Sequence, residues 1–415
     1  MREMKDSGVE WIGEIPKDWN CMRLKFAFDN SNVGESVDKE LYSSDENGYI
    51  FYTAGANPVK TSYTEFPMWK YTTDNDILLA RNGTPYIYLP SKDAIYSDHI
   101  IRINIKDGYC RRFLRYCLQR SIESIIVDSV SIATWSISLW KEQKLPLPYY
   151  HEQKYLADYL DAKCSKIDEI IEKQQAIIEK LKEYKLSIIT EAVTKGINPN
   201  VEIKDSGIEW IGYIPKCWNI SRLKYLSSEI GDGLHSTPVY DSEGDYYFMN
   251  GQNIGNEKLV FSDKTDRLNE LEYMKYKKPL LSENTIFITL NGATYGKSSF
   301  YNGEKVLLGK SAGYITLKSS ENKRYIRYYL QSRTAKIFRE LSLCGSTIAN
   351  LSLKTLNEFI IPLPSEDEQR RIVNFLDVRC KLIDHNIDEK GKIVEKLQEY
   401  KKSLIYEVVT GKKEV

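Results

Sequence analysis

The sequence lacks the features of membrane-spanning, secreted and zinc-binding proteins. It has no run of about eighteen apolar residues, so no transmembrane helix is expected. The opening residues, Met1 to Asp6, are charged and contain no apolar signal-peptide stretch. The 7 cysteines are scattered without a Cys-x-x-Cys pair, which argues against structural zinc and favours reduced thiols. We therefore expect a cytoplasmic protein that holds no metal of its own.

Net charge is also absent, because 58 lysines and arginines balance 58 aspartates and glutamates. Proteins that hold the DNA backbone usually carry a basic surface, so this neutrality counts against a purely electrostatic DNA binder. Basic residues do cluster within 111–120 and 323–339, although a solvated helix face explains such clusters equally well. With 415 residues, the chain is long enough for two or more domains with cores of their own.

The chain is a tandem duplication. Residues 5–25 and 204–224 share sixteen of twenty-one positions at an offset of 199. A second match runs from 145–194 to 361–410 at an offset of 216. Between these matches the two halves differ widely in sequence. The scaffold was therefore kept while the interior of each half changed, which indicates two similar supports for two different binding surfaces.

The second match has the pattern of a long amphipathic helix that begins after Pro148 in one copy and after Pro364 in the other. Apolar residues recur at intervals of seven, which predicts a coiled-coil seam. The seam positions are Leu160, Ile167, Leu181 and Ile188 in the first copy and Leu376, Ile383, Leu397 and Leu404 in the second. Ile170, Ile177 and Tyr184 are expected at the intermediate positions. Each helix would extend roughly 60 Å and pack on the other copy, in a direction that heptads do not decide.

Each half also contains strand-like runs around Asn-Gly turns, at residues 77–89 and 285–301, followed by a helical stretch. We therefore predict an α+β fold with globular domains at 1–147 and 199–363 and long helices at 148–198 and 364–415. Polar side chains on the predicted loops are candidates for contacts with base edges and phosphates, or they stabilise turns. These candidates are Arg81, Asn82, Thr84 and Tyr86 in the first domain and His235, Ser236, Thr237, Asn291, Thr294 and Lys297 in the second.

Recognisable catalytic motifs are missing. The segment Gly292–Gly296 resembles a phosphate-binding loop but has three residues between its glycines, where that motif has four, so we expect a hairpin turn. Asp128 with Glu142-x-Lys144 can be matched to a metal-dependent nuclease pattern, but the second copy has no acid-x-lysine in the same register. The four histidines form no ligand pair at helical spacing. These observations favour a binding protein over an enzyme, with no catalytic residue.

Several of these motifs together resemble the specificity subunits of type I restriction–modification systems. The resemblance rests on the Trp-Ile-Gly-x-Ile-Pro-x-x-Trp openings, the Pro-Leu-Pro junctions with a following Glu-Gln, the Glu-Lys-Leu-x-Glu-Tyr-Lys helix ends and the duplicated order. It covers the whole chain. The loop at residues 232–238 also looks like openings common in that family's recognition domains.

The resemblance implies two target recognition domains separated by two helices that pack as an antiparallel coiled coil with pseudo-two-fold symmetry. It also implies an asymmetric two-part site on double-stranded DNA and two methyltransferase subunits joined by restriction–translocase subunits. S-adenosylmethionine, ATP and magnesium would bind those partners, and this chain would hold no cofactor. The rival interpretations are a coiled-coil scaffold that binds only protein, and a nuclease that uses the acids named above.

Overall fold

The computed structural model describes residues 2–43, 48–128, 134–277, 281–292, 294–318, 321–342 and 350–415. The chain divides into two compact units, which we call unit 1 (Met1–Gln175 with Lys392–Val415) and unit 2 (Ala176–Gly391). This division differs from the sequence-based boundaries, because each long helix contributes one part to each unit. The predicted domain limits themselves stay a prediction.

The strands and helices of unit 1 begin with a run of short strands and end in a long helix that continues into unit 2. They are β1 (Met4–Asp6), β2 (Glu14–Pro16), β3 (Asn20–Arg23), β4 (Phe28–Val33), β5 (Tyr42–Ser43), β6 (Tyr49–Tyr52), β7 (Val59–Thr61), β8 (Asp76–Ala80), β9 (Ile87–Tyr88), β10 (Ile95–Tyr96), β11 (Ile100–Ile105), α1 (Arg111–Asp128), α2 (Ile137–Lys141), β12 (Lys144–Leu147) and α3 (Tyr150–Lys195).

The central sheet of unit 1 has the strand order β4-β11-β8-β9, and all its pairs are antiparallel. Every residue of β8 is buried, because the sheet is covered on both faces. Ile77 and Leu79 lie in the core that includes Phe113 of α1, whereas Leu78 lies in a second core with Phe51 of β6. Successive side chains of a strand point to opposite faces, so one apolar strand serves both cores. The second sheet has the order β10-β6-β7-β5.

Unit 2 follows the same plan with a longer interior. Its elements are β13 (Ile203–Asp205), β14 (Tyr213–Pro215), β15 (Asn219–Arg222), α4 (Leu223–Leu226), β16 (Ser227–Asp232), β17 (Tyr246–Met249), β18 (Arg267–Leu268), α5 (Glu270–Tyr276), β19 (Thr285–Thr289), β20 (Ser298–Phe300), β21 (Val306–Leu308), β22 (Ala312–Leu317), α6 (Lys323–Gln331), α7 (Arg333–Leu341), α8 (Leu353–Asn357), β23 (Ile360–Leu363) and α9 (Glu366–Val409).

The order β16-β22-β19-β20 repeats the central sheet of unit 1, and β18-β17-β21 forms the second sheet. Ile286 and Ile288 of β19 face one core while Phe287 faces another, as in β8. The two predicted strand-like runs are the antiparallel hairpins β8–β9 and β19–β20, which confirms the expected turns between them. The α+β prediction is thus confirmed in each unit.

The two long helices pack against each other in opposite directions within each unit. In unit 1, Asp168 of α3 binds Lys401 of α9, while Leu156, twelve residues earlier on α3, lines a cavity with Gly411, ten residues later than Lys401. Residues earlier on α3 therefore lie beside residues later in the chain than Lys401, so the two helices run antiparallel. Within the described ranges, no helix, α3 and α9 included, is both long and apolar enough to cross a membrane.

Unit 2 contains the same antiparallel arrangement. Lys185 of α3 binds Asp384 of α9 at 2.6 Å. At the end of α3, a β-carbon placed on Gly196 would lie 3.3 Å from the carboxylate of Glu368, near the start of α9. Gly196 has φ +79°, the left-handed conformation in which helices commonly terminate on glycine, and this explains why α3 stops at Lys195.

The predicted seam positions are more deeply buried than the predicted intermediate positions. Leu160 and Ile167 are buried, and so are Leu376, Ile383 and Leu404, whereas Leu181, Ile188 and Leu397 are half-buried. The predicted intermediate residues Ile170, Ile177 and Tyr184 are instead 44%, 38% and 55% exposed. The structure uses positions one residue later, such as Cys164 and Ile171. Steps of three and of four residues both fit a heptad, and the Ile170-Ile171 pair offers an apolar side chain at either.

Candidate nucleic-acid interface

In unit 1, the loop that follows β8 carries the predicted contact residues. Backbone hydrogen bonds join this loop to two other segments of the chain. The amide N–H of Arg81 donates to the carbonyl of His99 at 2.9 Å, and Trp135 N–H donates to the carbonyl of Arg81 at 2.7 Å. Asn82 forms a short β-bridge with Thr134. Three separate segments, at residues 81–84, 97–99 and 134–135, therefore meet at one end of the central sheet. We call this meeting point the junction of unit 1.

Side chains strengthen this junction. The Asn82 amide Nδ2 donates to His99 Nδ1 at 2.8 Å, and Arg81 Nη1 donates to the carbonyl of Asp98 at 3.4 Å. Thr84 is exposed near the tip of the loop. The N–H of Tyr86 donates to the carbonyl of Thr84, which closes the loop. The centroid of the Tyr86 ring lies 6.1 Å from that of Tyr88. The structure thus places Arg81 and Asn82 at the junction, whereas Tyr86 packs toward the second core.

A fourth segment, at the end of β4, reaches the same junction. Glu35 N–H donates to the carbonyl of Tyr96, and Asp98 N–H donates back to the carbonyl of Glu35. Gly34 allows this approach, because a β-carbon there would collide with the carbonyl oxygens of Tyr96 and Ser97. Sequence reasoning missed these residues; the signal that could have found Gly34 is its alignment with Gly233 at the same offset of 199 as the first repeat.

Unit 2 builds the same junction from equivalent backbone contacts. Leu290 N–H donates to the carbonyl of Ser311 at 2.9 Å, and Leu351 N–H donates to the carbonyl of Leu290 at 2.7 Å. Asn291 forms a β-bridge with Asn350, as Asn82 does with Thr134. Gly233 again approaches too closely for any side chain, here against the carbonyls of Leu308 and Gly309.

The predicted residues of unit 2 fall on two of these segments. His235 Nε2 lies 2.7 Å from Asp232 Oδ2, and the His235 side chain is 69% exposed, beside the exposed Ser236 and Thr237. The segment 233–235 is tied to the junction through Leu234 N–H, which donates to the carbonyl of Leu308.

The loop after β19 gives a mixed result for the candidates it carries. Asn291 lies at the junction and is half-buried. The hydroxyl of Thr294 donates to the carbonyl of Gly251 at 3.3 Å, so this side chain supports the loop from within. Lys297 makes backbone bonds inside the turn while its side chain is exposed. Asn291 and Lys297 therefore remain the stronger candidates for an external contact.

The two junctions share a backbone frame but present different side chains. Arg81 of unit 1 corresponds to the apolar Leu290 of unit 2, and the acidic Asp98 corresponds to Lys310. Side chains that read base edges do so by donors, acceptors and charge, so such replacements on one frame would change what each unit recognises.

In each unit, an arginine and a tyrosine of the globular part bind one aspartate of the long helix. Arg112 donates to Asp158 and Asp161 at 2.6 Å, and Tyr116 donates to Asp161 at 2.7 Å. Burial, and then the hydrogen bond to Asp161, raises the pKa of Tyr116, which keeps the phenol protonated as a donor. Unit 2 repeats the contact through Arg324, Tyr328 and Asp377.

Glu142, which was considered as a nuclease residue, forms ion pairs with two basic side chains. The Glu142 carboxylate binds Arg23 and Lys25, each at 3.1 Å, and the hydrogen bond from Lys25 is the main cause of its lowered pKa. Glu358 binds Arg222 and Lys224 in the same way in unit 2. The side chain of Asp128 lies outside the described residues. In the part of the chain that the structure describes, no three His, Cys, Asp or Glu side chains are grouped to hold a metal ion.

Comparison with known proteins identifies a family whose profile matches this chain. The family profile described as "Type I restriction modification DNA specificity domain" matches residues 16–188 and 215–403. The type I restriction enzyme MjaVIII specificity subunit of Methanocaldococcus jannaschii is 26% identical over 96% of this chain and 93% of its own length. The EcoBI specificity subunit of Escherichia coli is 24% identical over 68% of this chain and 62% of its own length.

A solved structure is similar in fold. The chain comes from a study described as the structural basis underlying complex assembly and conformational transition of the type I R-M system. It superposes with a TM-score of 0.68 at 16% sequence identity, over 96% of this chain and 99% of its own. The two profile matches together cover most of the 415 residues, one in each repeat. The chain therefore belongs to the type I restriction–modification DNA specificity family.

Proposed function

We propose that this chain is the DNA-specificity subunit of a type I restriction–modification complex and reads a two-part DNA target, one part with each unit. The observation that carries the proposal is the pair of junctions with one backbone frame and different side chains, around Asn82 and Asn291. A duplicated protein that read two identical half-sites would need the same side chains twice. Replacement of Asp98 by Lys310 and of Arg81 by Leu290 supports unlike half-sites instead.

The energetics of base recognition support two small readers on one chain. A good bidentate contact to a base discriminates by about 1–3 kcal/mol, so a few contacts at one junction select a short sequence. Linking two such readers makes the second binding step intramolecular and multiplies selectivity through effective concentration. The predicted contact residues Arg81, Asn82, His235, Asn291 and Lys297 are our candidates for these contacts.

The proposed partners are two methyltransferase subunits, with restriction–translocase subunits joining them. Support comes from the repeated scaffold: the openings, the helix ends and ion-pair sets such as Arg112–Asp161 and Arg324–Asp377 recur in both units, so each unit offers an equivalent surface. Two equivalent surfaces suit two copies of one partner. In this proposal, methyl transfer and DNA cleavage, with their S-adenosylmethionine, ATP and magnesium, belong to the partners, and this chain is not itself an enzyme.

The chemistry of base methylation also favours placing sequence recognition and methyl transfer on different subunits. An enzyme that modifies a base must extrude it from the helix at a cost of a few kcal/mol, and its pocket surrounds that one base. The surrounding sequence must then be read elsewhere, on surfaces that contact the groove. A chain with two base-reading surfaces supplies that missing selectivity.

The decisive experiment exchanges one reader. Residues 26–128 are replaced by the equivalent segment of another family member, and the hybrid is expressed with its methyltransferase in a host whose methylated sequences are then determined. We expect one half of the methylated motif to change and the other half to stay. A motif in which both halves change, or neither does, contradicts the proposal, and so does a complex that methylates without any sequence preference.

A further inference from the structure

A histidine at the junction of unit 1 is oriented in a way that the fold itself does not need. His99 lies in the turn between β10 and β11, and its side chain is 54% exposed. Its backbone carbonyl is used by Arg81 N–H, but the ring contributes to no core cluster among the described residues. The ring is nevertheless fixed by the hydrogen bond from Asn82.

That hydrogen bond determines which ring nitrogen carries the proton. The amide Nδ2 of Asn82 has no lone pair to offer, so it acts only as donor, and His99 Nδ1 must be the acceptor. The neutral ring therefore carries its proton on Nε2, where it is a donor. The Asn82 hydrogen bond thus holds an exposed ring in one orientation at a cost in side-chain entropy, with the Nε2 donor available to a ligand.

The charge around Nε2 distinguishes a base from a phosphate as that ligand. The Asp98 carboxylate lies 4.0 Å from His99 Nε2, and Glu35, bound to Lys70, is joined to Asp98 through the backbone. The Asp98 carboxylate at this distance repels a phosphate. An N–H donor beside a carboxylate acceptor instead matches a base edge that presents an acceptor beside a donor, as adenine does in the major groove with N7 and N6.

Unit 2 shows that the equivalent position is not required to carry such a pair. Ser311 occupies the place of His99, and its hydroxyl is used internally, accepting from Gly251 N–H at 2.8 Å and donating to Asn250 at 3.3 Å. Lys310 stands where Asp98 does. The same frame therefore tolerates either residue pair, and the His99–Asp98 pair is a property of one reader rather than of the fold.

We propose that His99 and Asp98 together read a base edge within the half-site of unit 1, with Asn82 as the positioning residue that keeps His99 Nε2 a donor. The proposal rests on the DNA-specificity function and assigns one of its specificity determinants. None of the three acts in catalysis.

The test measures the methylated motif of single variants expressed with the methyltransferase subunit. His99→Ala and His99→Ser, the latter being the residue that unit 2 carries, are expected to reduce discrimination at one base position by roughly 5- to 150-fold, the equivalent of a lost base contact. The half-site read by unit 2 should stay unchanged and serves as an internal control for folding and assembly. His385→Ala, an exposed histidine on α9, is the matched control and should leave the whole motif unchanged.

The outcomes separate this inference from the function on which it rests. Wild-type motifs for both His99 variants would overturn the inference while leaving the two-part recognition intact. Loss of both half-sites in both variants would show that His99 supports the fold, and this also overturns the inference. Absence of any motif for the wild-type complex would instead refute the DNA-specificity function itself. The double variant Asp98→Lys with His99→Ser should change the preferred base at the affected position.

Discussion

Asp168 of α3 and Lys401 of α9 form an ion pair of 2.6 Å in unit 1, and their repeat equivalents form the same pair in unit 2 with the helices exchanged. The repeat offset of 216 converts Asp168 into Asp384 and Lys185 into Lys401. Asp384 accordingly binds Lys185 at 2.6 Å. One aspartate and one lysine in the repeated segment thus suffice to mark an antiparallel register twice.

We expect these pairs to set register more than stability. Lys401 is 26% exposed and Asp168 48% exposed, and partly solvated pairs contribute about 0–1 kcal/mol. Lys401→Ala should therefore lower the free energy of unfolding by no more than about 1 kcal/mol. The swap Asp168→Lys with Lys401→Asp should restore it, as measured by urea denaturation in a double-mutant cycle. A loss of several kcal/mol for Lys401→Ala would contradict this assignment.

The helix seam gives a sharper stability prediction. Leu160 is completely buried, so Leu160→Ala should cost about 2–5 kcal/mol of unfolding free energy, because it leaves a cavity in the core. Ile170 is 44% exposed, so Ile170→Ala should change stability by no more than about 0.5 kcal/mol. Thermal and urea denaturation of the two variants tests the choice between the seam positions. Equal costs for both would restore the seam expected from the heptads.

Sequence reasoning succeeded where a local pattern decides the structure. The hairpins β8–β9 and β19–β20, the start of α3 after Pro148 and the duplicated order were all readable, because turn residues, proline and identity are local signals. It failed between Ile170 and Ile171, where two heptad phases are equally apolar. It also missed His99, which lies 17 residues from its partner Asn82 and meets it only after β8 and β11 pair.

Glu142 should act through charge pairing and not through catalysis. Its hydrogen bond with Lys25 lowers its pKa in the folded state, so the pairing stabilises the fold above the unfolded pKa and is lost as pH falls through the folded value. The melting temperature of Glu142→Gln should thus lie below the wild type near pH 7. The gap should close below about pH 4, where carboxylates protonate.

The same variant tests the nuclease interpretation directly. Purified wild-type chain and Glu142→Gln are incubated with plasmid DNA and magnesium, and cutting is followed on gels. We expect no cutting by either protein. Magnesium-dependent cutting by the wild type that Glu142→Gln abolishes would establish the nuclease instead.

We expect Gly233 to be required for DNA recognition by unit 2 and not for recognition by unit 1. A β-carbon there would collide with the carbonyls of Leu308 and Gly309, and main-chain atoms cannot swing away as a side chain can. Gly233→Ala should therefore displace the loop that carries His235 and relax the motif half read by unit 2. Gly391→Ala is the matched control, because this helical position in α9 has nothing within 4 Å of an added β-carbon. Methylome sequencing should show the first half of the motif unchanged in both variants.

Lys297 and Asn291 should contribute to DNA binding in different ways although they lie on one loop. The exposed ammonium of Lys297 suits a phosphate, so Lys297→Ala should weaken binding equally for all sequences and lower the slope of log affinity against log salt by about 0.9. Asn291→Ala should leave that slope unchanged and reduce discrimination at one base by about 1–3 kcal/mol. Fluorescence anisotropy of the methyltransferase complex across a salt series, on cognate and scrambled half-sites, separates the two. Lys216→Ala, an exposed lysine paired with Glu202, is the control and should leave affinity and slope unchanged. An unchanged slope for Lys297→Ala would remove Lys297 from the interface.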